Sequence, residues 1–367
     1  MLKLLAAFFL IVSSASFSLA QESAKIRQPK LTPQNSGTTQ LLISVSPVND
    51  RIVWAAGTGG TYVVTKDGGE TWKAAVVPGA EALEFRDVQG VTDKIAYLMS
   101  IGNNTTDFRV YKTVDGGASW TIEFTNQDPL AFYDCFAFWT PHRGITHSDS
   151  GNGVFPDIRT IDGLTWQSIA ANMPPALPGE ASFAASGTCI TTEGEKNAWI
   201  TTGGSTIARV LATKDGGNAW SAFDTPLVSS PSAGGVSVAF RDSRHGIVGG
   251  GDLASNASAD TATSDDGGQT WILTNKPPVQ GAIFCLAYAR GTRHGEDEEV
   301  GEKNDRTVVI TTETEPDFSS GEAAWTPDEG QTWFQLPGVS GFWAVGFANP
   351  EAGWFVGNTG QILKISF

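Results

Sequence analysis

Apolar and polar residues alternate along this chain in short runs that stop at polar turns containing glycine, and the arrangement recurs from one end to the other. An apolar run ends in an aromatic residue, a turn follows, and a second apolar run begins: LEFRDVQG from Leu83, FAFWTPHRG from Phe136, VAFRDSRHG from Val238 and VGFANPEAGWFVG from Val345. Runs this short, bounded by turn residues, predict β-strands in pairs, and no long helical period interrupts them. LLISVSPVNDRIVWAAG, FAASGTCITTEGEKNAWITTGG and IFCLAYARG bring the series to seven pairs.

Downstream of six of the pairs stands one pattern, Ser/Thr-x-Asp-x-Gly-x-Thr/Ser-Trp. It reads TKDGGETW from Thr65, TVDGGASW from Thr113, TIDGLTW from Thr160, TKDGGNAW from Thr213, SDDGGQTW from Ser264 and TPDEGQTW from Thr326. The copies lie roughly fifty residues apart, the length of a four-stranded blade, so the chain is expected to be all-β: a seven-bladed β-propeller in a single domain over residues 21–367. The first hydroxyl and the carboxylates of Asp67, Asp115, Asp162, Asp215, Asp266 and Asp328 can close each hairpin on nearby amides. Gly69, Gly117, Gly217, Gly268 and Gly330 then supply positive φ. Trp72, Trp120, Trp166, Trp220, Trp271 and Trp333 open the next strand, where an indole can fill the wedge between blades. Two copies depart: the third is one residue short with Leu164 at a polar position, which predicts a distorted turn, and the fourth has Ala219 for the hydroxyl residue.

The seventh blade has no such turn, because the chain stops at GQILKISF after its third strand. An open edge needs a partner, so the segment from Lys25 to about Pro33 is expected to return as the outermost strand of the last blade.

The octapeptide is the Asp-box, or BNR repeat. Combined with the F-x-x-x-x-x-G-x-x-x-G strand pairs, clearest from Phe240 through Trp271, it makes the chain resemble the photosystem II assembly and stability factor family and its exported bacterial relatives. That resemblance implies a seven-bladed, chaperone-like binding scaffold without catalytic activity. The family's arginine cluster does not map here residue by residue. The alternative is a sialidase-like exo-glycosidase, which needs an arginine triad, a tyrosine nucleophile and an aspartate acid/base. Arg27-Gln28-Pro29 only approximates that family's Arg-Ile-Pro, and Tyr133 beside Asp134 is the one tyrosine placed to serve.

Export follows from the first residues. Lys3, the apolar run from Leu4 to about Val12 and Ser18-Leu19-Ala20 read as a signal peptide over residues 1–20, expected to be cleaved near Ala20/Gln21, so the mature protein is expected outside the cell or in the periplasm. No other segment is apolar enough to span a bilayer. Gly at 42 residues, Trp at 12 and only 17% charged residues fit many tight turns. A net charge of −15 argues against nucleic acid as partner. The expected partner is instead a protein or a glycan of the cell envelope, met by a monomer.

Cys135, Cys189 and Cys285 permit one disulfide at most; each lies in an apolar run, and three buried thiols are expected. One carboxylate per turn is too few for calcium, and His142, His147, His245 and His294 lack zinc spacing, so neither metal nor cofactor is expected. The charged run from Arg290 to Arg306 reads as a solvated excursion, and Asn103, Asn104 and Asn256 begin glycosylation sequons.

A binding site is expected on the face opposite the boxed turns, where loops enter the innermost strands. NQDPLAFYDC and MPPALPGEASFAASGTC bring Tyr133, Asp134, Glu180, Phe183 and Ser186 toward one sector there, and Arg109 and Arg209 hold equivalent places six residues before a boxed aspartate. The same aromatics could equally plug the central channel. Arg86 and Arg241, in a repeated Phe-Arg-Asp, are expected to brace turns on the boxed face.

Overall fold

The computed structural model describes residues 28–257, 259–290, 306–313, 318 and 320–367. The leader, residues 25–27 of the expected closing segment and residues 291–305 of the charged run lie outside these.

Seven four-stranded antiparallel sheets follow one another as blades. Their innermost strands are Leu42–Pro47, Glu84–Gly90, Tyr133–Thr140, Ile190–Glu193, Ala233–Phe240, Ala282–Tyr288 and Phe342–Asn349 in blades 1 to 7. Inner strands such as Val53–Gly57 are enclosed on both faces and apolar, whereas outer strands such as Lys73–Val76 have only exposed and half-buried positions. Blade 7 is closed by Lys30–Asn35, which pairs with Gln361–Ser366 from Lys30↔Ser366 to Asn35↔Gln361. The closing strand predicted near Pro33 is therefore present, centred slightly further along the chain.

The core is a set of seams between blades. Trp54 and Tyr62 of blade 1 pack on Phe85, Leu98 and Tyr111 of blade 2; Trp199 and Val210 of blade 4 pack on Phe240 and Val248 of blade 5. The ring shuts where Trp354 and Phe355 of blade 7 share a cluster with Leu42, Val53 and Val63 of blade 1.

Each boxed turn is wired alike. In the first, Thr65 Oγ1 donates to Asp67 Oδ1 at 2.8 Å and accepts the Gly69 amide at 2.9 Å, while Asp67 accepts the Thr71 amide at 2.9 Å and the Thr71 hydroxyl at 2.6 Å. The short third turn keeps this wiring, with the Gly163 amide on Thr160 Oγ1 at 2.8 Å and the Thr165 amide and hydroxyl on Asp162, both at 2.8 Å. The expected distortion is thus limited to a turn one residue tighter, with Leu164 held in solvent. In the fourth turn the Ala219 amide still reaches Asp215 at 3.1 Å. Gly117 shows why glycine is required: its φ is +87°, and a Cβ there would fall 2.4 Å from the Tyr62 hydroxyl of the preceding blade.

The tryptophans after the turns are wedges. Trp120 lies edge-on to Trp54 and Tyr62 of blade 1 at 6.3 and 5.2 Å, and Trp271 lies edge-on to Phe240 at 5.9 Å in the cluster built on Trp199 of blade 4. Trp72, Trp166, Trp220 and Trp333 join the seams between their own blade and the one before.

One expectation is overturned. Cys135 and Cys189 form a disulfide across blades 3 and 4, with Cα atoms 6.1 Å apart, and only Cys285 is a free, buried thiol. The apolar runs around the two cysteines hide them from solvent, but converging backbones bring their sulfurs together.

Candidate functional site: the plugged face

Near the face opposite the boxed turns, six of the seven innermost strands slip register by one residue: between Leu42/Ser44, Phe85/Asp87, Tyr133/Cys135, Gly235/Ser237, Ile283/Cys285 and Phe342/Ala344. A bulge re-aims the extra side chain. The extra residues are Ile43, Arg86, Asp134, Val236, Phe284 and Trp343, one per blade. Ile43, Val236, Phe284 and Trp343 gather with Ala185 into an apolar cluster. Arg86 and Asp134, on adjacent blades, are the two charged members.

Blade 4 lacks the bulge and sends chain across the axis instead. Residues 181–189, in the loop expected to enter the innermost strand, form a plug: Ser182 N donates to Asp149 of blade 3 at 3.0 Å, and the Ala184 carbonyl accepts Arg86 Nη1 of blade 2 at 2.6 Å. Ser186 Oγ donates to the Phe284 carbonyl of blade 6 at 2.6 Å, and the Thr188 carbonyl accepts the Val238 amide of blade 5 at 2.9 Å. Gly187 abuts the buried Asp87 carboxyl so closely that a Cβ would lie 2.4 Å from its carbon. Below the plug, a cavity of about 210 Å³ is lined by the innermost strands of all the blades and extends toward the boxed face.

The sequence-predicted residues distribute around this plug. Glu180 and Arg209 form a buried ion pair, Arg209 Nε to Glu180 Oε1 at 2.8 Å, reinforced by the Thr202 hydroxyl and the Leu177 amide at 2.7 Å each. With Arg209 Nη2 on the Pro175 carbonyl at 3.0 Å, the pair anchors the loop that leads into the plug. Phe183 and Ser186 belong to the plug itself. Arg109 opens its third strand as Arg209 does, but it is held within blade 2 by the Thr106 carbonyl at 2.7 Å and the Tyr111 hydroxyl at 3.2 Å. Tyr133 is buried, its hydroxyl 3.3 Å from the Pro156 carbonyl, and burial raises its pKa further above the phenol range. A nucleophilic tyrosine needs the opposite.

Arg241 braces the boxed face as expected, with Nε on Glu329 of the next blade's turn at 2.6 Å. Arg86 does not, because its Phe-Arg-Asp lies at the bulge, on the other face. It pairs with Glu84 and stacks over Trp343, 5.6 Å from the ring centre.

Blade 3 concentrates charge beside the plug. Asp134 is 1% exposed, and burial, together with a carboxyl–carboxyl hydrogen bond to Asp149, holds its pKa well above the usual range. Asp149, half-buried at the rim, is likewise raised by burial. His147 Nδ1 lies 2.9 Å from Asp157 Oδ2, both side chains fully enclosed, and Asp157 Oδ1 accepts the Ser148 amide at 3.0 Å. His147 Nε2 and Asp134 Oδ2 are buried without a hydrogen-bond partner.

Next to these groups Leu130, Phe132 and Val154 are 53, 37 and 46% exposed. They form one ledge: the Phe132 carbonyl accepts the Asp149 amide, Gly151 bridges to Val154, and a Cβ on Gly151 would touch Leu130 at 3.1 Å. Leu130 and Phe132 lie in a segment that stands out in the sequence, whereas Val154, Glu84, Asp149 and Asp157 carry no such signal, and His147 stands out there only as lacking zinc spacing. Among the described residues no group of three or more His, Cys, Asp or Glu is placed to hold a metal ion, and no helix is long and apolar enough to cross a membrane.

No family model matches the chain, and no curated protein matches it. Solved structures do. YCF48 bound to D1 peptide shares 17% identity at a TM-score of 0.61, covering 92% of this chain and 97% of that one. The likeness is one of fold. YCF48 from Cyanidioschyzon merolae (16% identity, TM-score 0.62, covering 92% and 98%) and the GH74 xyloglucanase from Xanthomonas campestris (13%, 0.56, covering 91% of this chain and 53% of that one) share the propeller too.

Proposed function

We propose that this chain is an exported, monomeric Asp-box propeller that acts as a non-catalytic binding or assembly scaffold, capturing a protein partner of the cell envelope on its plugged face. The observation that carries this reading is the plug: residues 181–189 close the axis there and leave, beside it, the Leu130–Phe132–Val154 ledge rimmed by half-buried charge. An exposed apolar ledge within a polar rim is the anatomy of a protein-binding surface. Phe183, half-buried, belongs to the surface offered to the partner and Asp134 lies buried beneath it, while Tyr133, Glu180, Ser186, Arg109 and Arg209 hold the loops that shape it. The YCF48 structure with a D1 peptide supports a peptide-binding role for this fold. Export is supported by the leader-like N-terminus and by the Cys135–Cys189 disulfide, which suits an oxidising compartment.

Affinity capture from the native envelope fraction, followed by mass spectrometry, tests this. Leu130→Asp with Val154→Asp should abolish recovery of the partner, and Ile161→Asp on the boxed face should not. Recovery unchanged by the ledge variants would refute the assignment, and so would robust turnover of fluorogenic sialosides abolished by Tyr133→Phe.

A further inference from the structure

We infer that the carboxyl cluster of blade 3 is the recognition pocket for a basic side chain, arginine above lysine, presented by a protein segment whose neighbouring apolar residues lie on the Leu130–Phe132–Val154 ledge. The inference rests on the reading of the plugged face above and gives its partner a chemistry.

The donors and acceptors around the pocket do not balance. Arg86 of blade 2 is engaged by Glu84, by the Ala184 carbonyl and by the Trp343 ring; its charge reaches Asp134, but it leaves Asp134 Oδ2 without a hydrogen bond. His147 Nδ1 is taken up by Asp157, and its Nε2, equally enclosed, has no partner. Asp134 Oδ2 offers a lone pair, equally buried and equally unmet. Asp149 stands half-buried beside Asp134, where it accepts the Ser182 amide. Buried acceptors without donors are costly, and the group missing is a donor-rich cation. A guanidinium supplies five N–H donors in a planar fork that fits carboxylates, which an ammonium does not.

The apolar ledge lies along the same rim, so a residue beside the arginine would be buried as the arginine enters. The net charge of −15 draws a basic segment toward the protein before contact. Burial and the neighbouring Asp149 charge favour the protonated form of Asp134; an entering guanidinium favours the ionised form and releases the proton. The other ionisable groups facing the pair are Arg86 of blade 2 and His147 and Asp157 of blade 3. The plug contributes the Ser182 amide.

A random peptide library displayed on phage and selected against the folded full-length protein tests this. The selected peptides are expected to share an arginine or lysine beside an aliphatic residue and to bind more weakly as pH is lowered. Asp149→Asn and Leu130→Asp should each weaken binding roughly tenfold or more, and replacing the peptide arginine by citrulline should do the same. Asp149 is half-buried rather than enclosed, so Asp149→Asn keeps the test valid even where Asp134→Asn fails to fold. Peptides lacking any basic residue but sensitive to Leu130→Asp would overturn the pocket and leave the face standing. Peptides insensitive to both variants would overturn both, and failure to enrich a basic motif would overturn the pocket.

Discussion

Cys135 is bonded through its sulfur to Cys189, which ties the innermost strand of blade 3 to the foot of the axial plug. At the matching position just past the bulge, Asp87 accepts the Phe136 amide of the next blade, Ser237 the Leu286 amide and Cys285 the Val345 amide, at 2.9, 2.9 and 3.3 Å. The disulfide is thus the covalent version of a joint that other blades make by hydrogen bond.

Breaking that joint should be expensive. The bond spans 54 residues, and the loop-entropy argument gives a loss of about 4 kcal/mol for Cys135→Ser. Cys285→Ser should cost less, because a hydroxyl can accept the same amide. Chemical denaturation of both variants, with the wild type reduced and oxidised, measures the difference.

The wedge role of the boxed tryptophans is tested at Trp271, 8% exposed in the seam between blades 4 and 5. Trp271→Ala should cost about 3–5 kcal/mol. Trp166→Ala should cost less, since that ring is only half-buried and its indole N–H has no partner. Equal losses in thermal unfolding would argue against seam packing as the source of the stability.

The boxed carboxylates should make folding sensitive to acid. Hydrogen bonds from Thr71 and from Ser119 lower Asp67 and Asp115 to about 2 each. A carboxyl lowered on folding stabilises the fold above its unfolded pKa near 4 and loses that contribution as pH falls toward 2. Asp87 and Asp134, raised chiefly by burial, act in the opposite sense and weaken the fold as pH climbs past about 4. Asp67→Asn should therefore lower stability at neutral pH and flatten the acid limb, whereas Asp87→Asn should flatten the decline above that limb. Unfolding free energies measured across the pH range separate the two.

Removal of residues 30–35 should destabilise the protein far beyond the loss of one exposed strand. The deletion bares the Gln361–Ser366 edge and removes the Gln34 side chain, whose Oε1 accepts the Trp72 indole N–H at 3.0 Å across the boundary with blade 1. Limited proteolysis should find blades 7 and 1 opening first.

How much of this was legible depended on whether the determinants are contiguous. The boxed turns bond within eight residues, so composition and spacing announce them, and counting strands past the last one exposed the need for Lys30–Asn35. FAASGTC reads from sequence both as a strand and as an entering loop whose aromatic could plug the channel, because its conformation is set by partners on blades 2, 3, 5 and 6. Arg86 and Arg241 share a tripeptide yet face opposite ends of the barrel axis, because Phe85 precedes a bulge whereas Phe240 ends its strand. The pairing of Cys135 with Cys189 rather than Cys285 is a similar case: all three runs are equally apolar, and only the crossing of the axis selects the pair.

The central claim, that a protein partner sits on the plugged face at blade 3, is tested most directly by photo-crosslinking in the native host, with benzoylphenylalanine at Phe132 or at Ile161. Ile161 is the more exposed of the two, at 67% against 37%, so exposure alone favours it. The structure predicts a discrete adduct through position 132 and none through position 161. An adduct through 161 with none through 132 would place the partner on the boxed face and contradict the account.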